Sequence, residues 1–136
     1  MLVEMQNASG GGGGLMYTKT GTETGVNPQN SRTVSTGLNS ITRLFIIGET
    51  PNNMLHYIYY DSTRSWGKQV AVCVNKANTS ETYGKIRWST TSATGLLTGP
   101  TQDCIVITGI SGGDFTVKAS VSGFWDMGSQ FTWYAE

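Results

Sequence analysis

The stretch that decides the fold is residues 105–136, which read IVITGISGGDFTVKASVSGFWDMGSQFTWYAE. Two runs of alternating side chains flank Gly112-Gly113, and an aromatic run follows them. Two glycines between alternating runs are typical of a β-hairpin with a type I′ or II′ turn, because glycine tolerates the positive φ that such turns require. The stretch therefore predicts a hairpin followed by an aromatic strand.

The two-glycine loop also predicts how the hairpin strands pair. With Gly112 and Gly113 as the loop, Ser111 pairs with Asp114. One face then carries the pairs Ile110–Phe115, Thr108–Val117, Val106–Ala119 and Cys104–Val121, and the other carries Gly109–Thr116, Ile107–Lys118 and Ile105–Ser120. The first face is mostly apolar, and a slip of one residue would mix the two sets. A loop shifted by one residue is the alternative.

Short β-type runs recur along the rest of the chain, separated by Gly, Pro, Asn, Asp and Ser residues. Including the hairpin, the runs are 15–20, 32–36, 41–47, 54–60, 69–75, 83–90, 104–110, 114–121 and 130–135. Many short strands with turn residues between them are typical of a sandwich or barrel, and no long 3.6-residue periodicity competes. We predict one all-β domain over residues 15–136, an antiparallel β-sandwich of the jelly-roll or immunoglobulin-like kind.

The run 69–75 is apolar on both faces. Val70, Val72 and Val74 share one face, while Ala71 and Cys73 share the other. A strand with two apolar faces is typical of the centre of a sheet that is covered by a layer on each side.

The run 54–60 carries tyrosines on both of its faces. Leu55, Tyr57 and Tyr59 lie on one face, and the other face is formed by Met54, His56, Ile58 and Tyr60. This pattern predicts that one face packs in the core and the other meets a partner or ligand, because tyrosine joins an apolar ring to a polar hydroxyl. Tyrosines that simply complete a core edge are the alternative.

Composition excludes several classes of function. Charged residues make up 13% of the 136 residues, and the net charge is zero. No basic stripe exists for nucleic acid, while a neutral polar surface leaves area for contact with identical subunits. No apolar run approaches the roughly 20 residues that span a bilayer, and the start lacks a signal-peptide pattern. We expect no membrane insertion and synthesis in a cytoplasm.

Residues 1–14 form a separate leader. Leu2, Val3 and Met5 are apolar, and five glycines follow, which are Gly10, Gly11, Gly12, Gly13 and Gly14. The glycines are either a flexible linker or a neck, where the absence of side chains lets several chains approach closely. A leader that packs against copies of itself would serve as an oligomer stalk or as a plug into a neighbouring protein.

Patterns of catalytic or metal-binding residues are weak. His56 is the only histidine, and without a G-x-S-x-G motif a packed or interface histidine is favoured over a catalytic base. Most acidic residues neighbour Gly, Ser, Thr or Asn, where they serve turns instead of forming a glycosidase pair. Cys73 and Cys104 form no CxxC, so buried thiols are favoured, although whether they meet stays open. We predict no enzymatic activity, metal or cofactor.

The closing stretch resembles the C-terminal domains of tail-fibre and receptor-binding proteins from tailed bacteriophages and prophages. The matching residues are Ile107-Thr108-Gly109-Ile110, Phe115-Thr116-Val117 and Phe131-Thr132-Trp133-Tyr134-Ala135. Residues 32–38 and 41–48 resemble the early pair of strands in those modules, with Leu38-Asn39-Ser40 in place of their Phe and Pro. The likeness covers roughly residues 32–136.

The resemblance implies a β-sandwich of a virion appendage, made in the bacterial host cytoplasm. It implies a homo-oligomer, with a trimer as the expected form, that touches host surface glycan or other virion proteins, the latter through residues 1–14. Two alternatives are a capsid decoration or collar protein without a receptor role and a stand-alone lectin-like module.

Aromatic side chains are the candidate contacts, because their rings offer apolar faces for sugars and rigid contact area for proteins. The candidates are Tyr57, Tyr59, Trp66, Trp88, Phe124 and Trp125. Trp66 and the Phe124-Trp125 pair fall in predicted loops, where exposure is common. Trp133 is expected in the core.

Overall fold

The computed structural model describes residues 17–24, 31–50, 54–75, 85–92, 95–97, 105–119 and 130–136. Nine strands and no helix occur in these ranges. The strands are β1 (Lys19–Thr24), β2 (Ser31–Ser35), β3 (Arg43–Thr50), β4 (Met54–Asp61), β5 (Gln69–Asn75), β6 (Lys85–Ser92), β7 (Val106–Ser111), β8 (Asp114–Lys118) and β9 (Gln130–Ala135). The leader and neck proposed for residues 1–14 lie outside the described residues.

The strands form two sheets in which all neighbours are antiparallel. The larger sheet has the order β1-β9-β3-β4-β5-β6, and the smaller has the order β2-β8-β7. The larger sheet thus contains a four-strand meander, β3 to β6, with β9 inserted between β1 and β3. The two sheets pack face to face, so the predicted antiparallel β-sandwich is confirmed.

The core lies between the facing sides of the two sheets. Phe115 of β8 meets Phe131 and Trp133 of β9 edge-on, with ring centroids 6.4 and 5.9 Å apart. In β9 the side chains alternate, so that Phe131, Trp133 and Ala135 are buried and the two residues between them are half-buried. Trp133 is 5% exposed, which confirms its expected core position.

The β7–β8 hairpin has the predicted loop. Gly112 has φ +57°, which fits the first central position of a type II′ turn, where φ is positive. Ser111 pairs with Asp114 and Ile110 with Phe115, as predicted from the loop.

The predicted register is confirmed as far as Gly109–Thr116 and is wrong after that pair, because a bulge interrupts β7 between Ile107 and Gly109. Val117 pairs with Ile107 instead of Thr108, and Lys118 pairs with Val106. The extra residue, Thr108, moves Ile107 to the side of Phe115 and Val117, and all three are fully buried. The predicted pairs Cys104–Val121 and Ile105–Ser120 involve residues outside the described ranges.

Gln69 joins the two sheets through its buried side-chain amide. Nε2 donates to the carbonyl oxygens of Gly95 (2.6 Å) and Ile107 (3.0 Å), and Oε1 accepts from the backbone N–H of Ile107 at 2.8 Å. The side chain is 0% exposed, and every polar group it carries thereby finds a partner. Because Ile107 borders the bulge, this contact holds β7 against β5 where the ladder to β8 is irregular.

The first strand begins later than predicted. The run 15–20 was expected, but β1 spans Lys19–Thr24 and pairs along its whole length with β9. Gly21 allows this pairing, because a Cβ there would lie 2.5 Å from Cζ2 of Trp133. The indole of Trp133 thus lies over Gly21 of β1. The sequence of β1, KTGTET, has few residues that favour a strand.

Candidate functional site

The candidate site is the outward face of the larger sheet, defined as the side that points away from the smaller sheet. The strand registers arrange its side chains in rows that cross the strands. The first row is Thr20, Tyr134, Phe45, Tyr59 and Val70; the second is Thr22, Thr132, Ile47, Tyr57 and Val72; the third is Thr24, Gln130, Glu49, Leu55 and Val74.

The outward face is apolar over its three central strands. An antiparallel sheet with one face in water normally alternates apolar residues inside with polar residues outside. Strands β3, β4 and β5 instead point apolar or aromatic side chains outward in all three rows, with Glu49 as the exception. The sequence predicted a layer on each side of β5, and in the described part of the chain only the smaller sheet packs against it.

Tyr57 and Tyr59 both belong to the outward face, as the alternation in β4 predicted. Tyr57 is 38% exposed near the middle of the face, between Ile47 of β3 and Val72 of β5. On the opposite side of the same strand, His56 and Ile58 are buried. The two tyrosines therefore stand on a rigid strand that is anchored by core residues.

Three aromatic rings gather at one end of the outward face. Phe45 and Tyr134 stack with centroids 6.3 Å apart, and Tyr17 meets Tyr134 edge-on at 6.3 Å. Phe45 points outward and yet is only 5% exposed. Tyr134 and Tyr17 were not among the predicted contacts. The alternation of β9 could have identified Tyr134, because it lies between the core residues Trp133 and Ala135.

A charged cluster lies at this end of the face. It consists of Arg43, Asp61 and Glu136, and we call it the Arg43 cluster. Arg43 Nε lies 3.2 Å from Asp61 Oδ2, and its guanidinium also pairs with Glu136. Asp61 Oδ1 accepts from the backbone N–H of Thr63 at 2.9 Å and from its hydroxyl at 2.6 Å. Burial of Asp61 opposes its ionisation, but the hydrogen bonds from Thr63 and Arg43 prevail and lower the pKa of the carboxyl.

The two tyrosines beside this cluster stay protonated over a wide pH range. Burial, together with the nearby Tyr59 hydroxyl and the Glu136 carboxylate, raises the pKa of Tyr17 to about 12. Burial and the charge of Asp61 also raise the pKa of Tyr59, whose hydroxyl donates to Asp61 Oδ2 at 3.4 Å. Both phenols are therefore uncharged at neutral pH, and the Tyr59 hydroxyl acts as a hydrogen-bond donor.

The opposite end of the face contains a shallow depression of about 180 Å³. Its outward-pointing lining comes from β3, β4 and β9 and consists of Ile47, Glu49, Leu55, Gln130, Thr132 and Tyr134. A depression that is open to solvent suits a protruding side chain of a partner better than a cofactor, which needs an enclosed cavity.

Of the remaining predicted contacts, only the side chain of Trp66 belongs to the described part of the chain. Trp66 is 68% exposed in the segment between β4 and β5, which confirms the exposed loop position. Trp88 lies in β6 opposite Cys73 in the ladder, and its side chain is outside the described set. Phe124, Trp125 and the neck glycines also fall outside the described residues.

His56 lies in the core, on the inward side of β4. It is 1% exposed, and its Nδ1 accepts a hydrogen bond from the backbone N–H of Ile105 at 3.4 Å. Its neighbour across the β4–β5 ladder is Cys73, which is fully buried. A triad would need this imidazole to meet substrate, whereas here it is enclosed between the sheets. Cys104 lies outside the described ranges.

In the ranges that the structure describes, no three His, Cys, Asp or Glu side chains are grouped as a metal site requires. These ranges also contain no helix with the length and apolar character needed to cross a membrane. Comparison of the chain with models of protein families, with curated proteins and with solved structures finds no match in any of the three.

Proposed function

We propose that this chain is a structural and adhesive protein of a tailed-bacteriophage appendage, such as a tail-fibre tip, and that it acts by contact and not by catalysis. The observation that carries the proposal is the apolar outward face of the larger sheet, with Tyr57 exposed near its middle. A rigid sandwich that presents such a face is suited to holding a partner.

The physical reason is the cost of leaving this face in water. Ile47, Tyr57 and Val72 stand side by side in one row, and each apolar side chain that a partner covers contributes to binding. Contiguous apolar patches rimmed by polar residues mark interaction sites in soluble proteins. Here the rim is formed by Glu49 at one end and by the Arg43 cluster at the other.

The phage setting comes from the resemblance of residues 32–136 to tail-fibre and receptor-binding domains. In that setting the chain forms a homo-oligomer, for which a trimer is the expected form, and residues 1–14 attach it to other virion proteins. Trp66, which is 68% exposed in the segment between β4 and β5, is the aromatic group suited to contact with host glycan.

The test is microscopy of particles from the phage or prophage that encodes the chain, with a gold-labelled antibody raised against the purified protein. We expect label at a fixed position on the tail appendage. Label on the capsid or collar would favour a decoration role without receptor binding. Particles that contain no copy of the chain would contradict the proposal, and specific glycan binding by the free protein would then favour a lectin-like module.

A further inference from the structure

The outward face of the larger sheet is large enough for a protein–protein contact. At a strand spacing of about 4.8 Å and a same-face repeat of about 6.7 Å, six strands crossed by three rows of side chains cover about 580 Å². Two such faces in contact would bury about 1,200 Å² in total, and a biological interface needs about 1,000 Å². One opposing sheet is therefore enough to form a stable contact on this face.

The chemistry of the face fits a copy of itself. Sheet faces pack on sheet faces at about 10 Å when both carry interdigitating apolar side chains. The first and second rows contain no charged residue in β3, β4 and β5, so two copies in contact would bury no like charges there. The whole chain has a net charge of zero, which adds no general repulsion between copies.

The aliphatic character of the face also favours a protein occupant over a glycan. Ile47, Leu55, Val70, Val72 and Val74 give a corrugated apolar surface with few hydrogen-bonding groups. A sugar needs polar partners for its hydroxyl groups, and the ionised groups of the Arg43 cluster are already paired with one another.

From the area, the neutrality and the apolar chemistry, we infer that the outward face of the larger sheet packs on the same face of a second copy of this chain, which closes the pair as a dimer in place of the trimer that the resemblance implies. This inference rests on the proposed assembly function and names the partner of the same surface. Tyr57 is the central contact, and its ring would be enclosed between the two sheets while the rows around it exclude water.

The experiment measures the mass of the full chain in solution over a range of concentrations by sedimentation equilibrium. The test variant is Tyr57→Lys. In a single copy the lysine can reach water, because Tyr57 is 38% exposed, whereas in the contact its charge would be buried without a partner. We expect an oligomeric wild type and a dissociation constant raised at least about thirtyfold by the substitution.

Two further variants keep the result interpretable. Trp66→Lys makes the same chemical change at a site that is 68% exposed and lies between β4 and β5, outside the rows of the face, so we expect it to assemble like the wild type. Thr132→Lys also adds a charge to the face. Because Thr132 is small and half-buried, we expect this variant to fold even if Tyr57→Lys is unstable. Circular dichroism and thermal unfolding check that each variant keeps its β-structure.

Dissociation by both face variants, with Trp66→Lys unaffected, supports the inference. A monomeric wild type overturns it, as does an oligomer that survives both face variants. Neither of these results contradicts the proposed role in the virion, because a monomer, or an oligomer formed through another surface, can still bind another virion protein. Absence from particles overturns the proposed function whatever the oligomeric state, so the two failures are distinguishable.

Discussion

Gly113 has no room for a side chain, because a Cβ there would overlap the carbonyl group of Leu38. The same residue accepts two hydrogen bonds at its own carbonyl oxygen, from the backbone N–H of Thr36 at 3.0 Å and from its hydroxyl at 2.7 Å. The loop of the β7–β8 hairpin is thus hydrogen-bonded to Thr36, the residue that follows β2. The sequence predicts that Gly112 and Gly113 form a turn. It does not predict the close approach of Gly113 to Leu38.

Gly113→Ala is expected to destabilise the protein by about 2 kcal/mol or more, because the backbone of residues 36–38 must move to admit the methyl group. Gly109→Ala is the matched control in the same hairpin, since a Cβ there meets Thr116 at an ordinary 3.5 Å. Chemical denaturation measures both. Equal losses of unfolding free energy in the two variants would contradict the role given to Gly113.

Asp61 gives the fold a pH dependence whose sign follows from its lowered pKa. The carboxylate is favoured in the folded state, so its contribution is present above the unfolded pKa of 3.8 and is lost as pH falls through the lower native value. Asp61→Asn should cost about 2 kcal/mol of unfolding free energy at pH 7, as expected for lost charged hydrogen bonds. Denaturation at pH 7 and at pH 2 measures the difference, and an equal loss at both values would contradict this account.

At the scale of elements, the sequence predicted strands better than it predicted their registers. The runs at β5 and β9 match the structure residue for residue, because clear alternation and turn residues bound them. The bulge at Thr108 was missed, since it depends on contacts with a distant strand: Gln69 of β5 holds the backbone of Ile107. Pairing across the sandwich thus overrode the register that the loop alone indicated.

Gln69→Leu tests that contact between the sheets. Leucine roughly keeps the volume of the side chain but removes the partner of the Ile107 N–H and of the Gly95 carbonyl, whereas the Ile107 carbonyl still accepts from the N–H of Leu97 at 3.2 Å. We expect a loss of about 3 kcal/mol in unfolding free energy, because each buried polar group left unpaired costs about 1–3 kcal/mol. Gln130→Leu makes the same change at an exposed position of β9 and should have little effect on stability. A stability of Gln69→Leu equal to that of the wild type would show that the amide is dispensable.

At the scale of the whole molecule, the sandwich class and the outward tyrosines of β4 followed from alternation alone. The extent of the candidate site did not. Phe45, Tyr134 and Tyr17 belong to three separate segments, and only the strand order that places β9 between β1 and β3 brings them together. Trp66 shows the opposite case, since its exposure was predictable from the turn residues around it.

The central claim is that the outward face of the larger sheet is the surface through which this protein holds its partners. Hydroxyl-radical footprinting tests it most directly, by comparing oxidation of Tyr57 and Trp66 in the isolated chain and in the assembly that it forms, without glycan. Both side chains are exposed in the single chain, at 38% and 68%. We predict that assembly protects Tyr57 and leaves Trp66 reactive. A Tyr57 that is oxidised in the assembly as fast as in the isolated chain would contradict the claim.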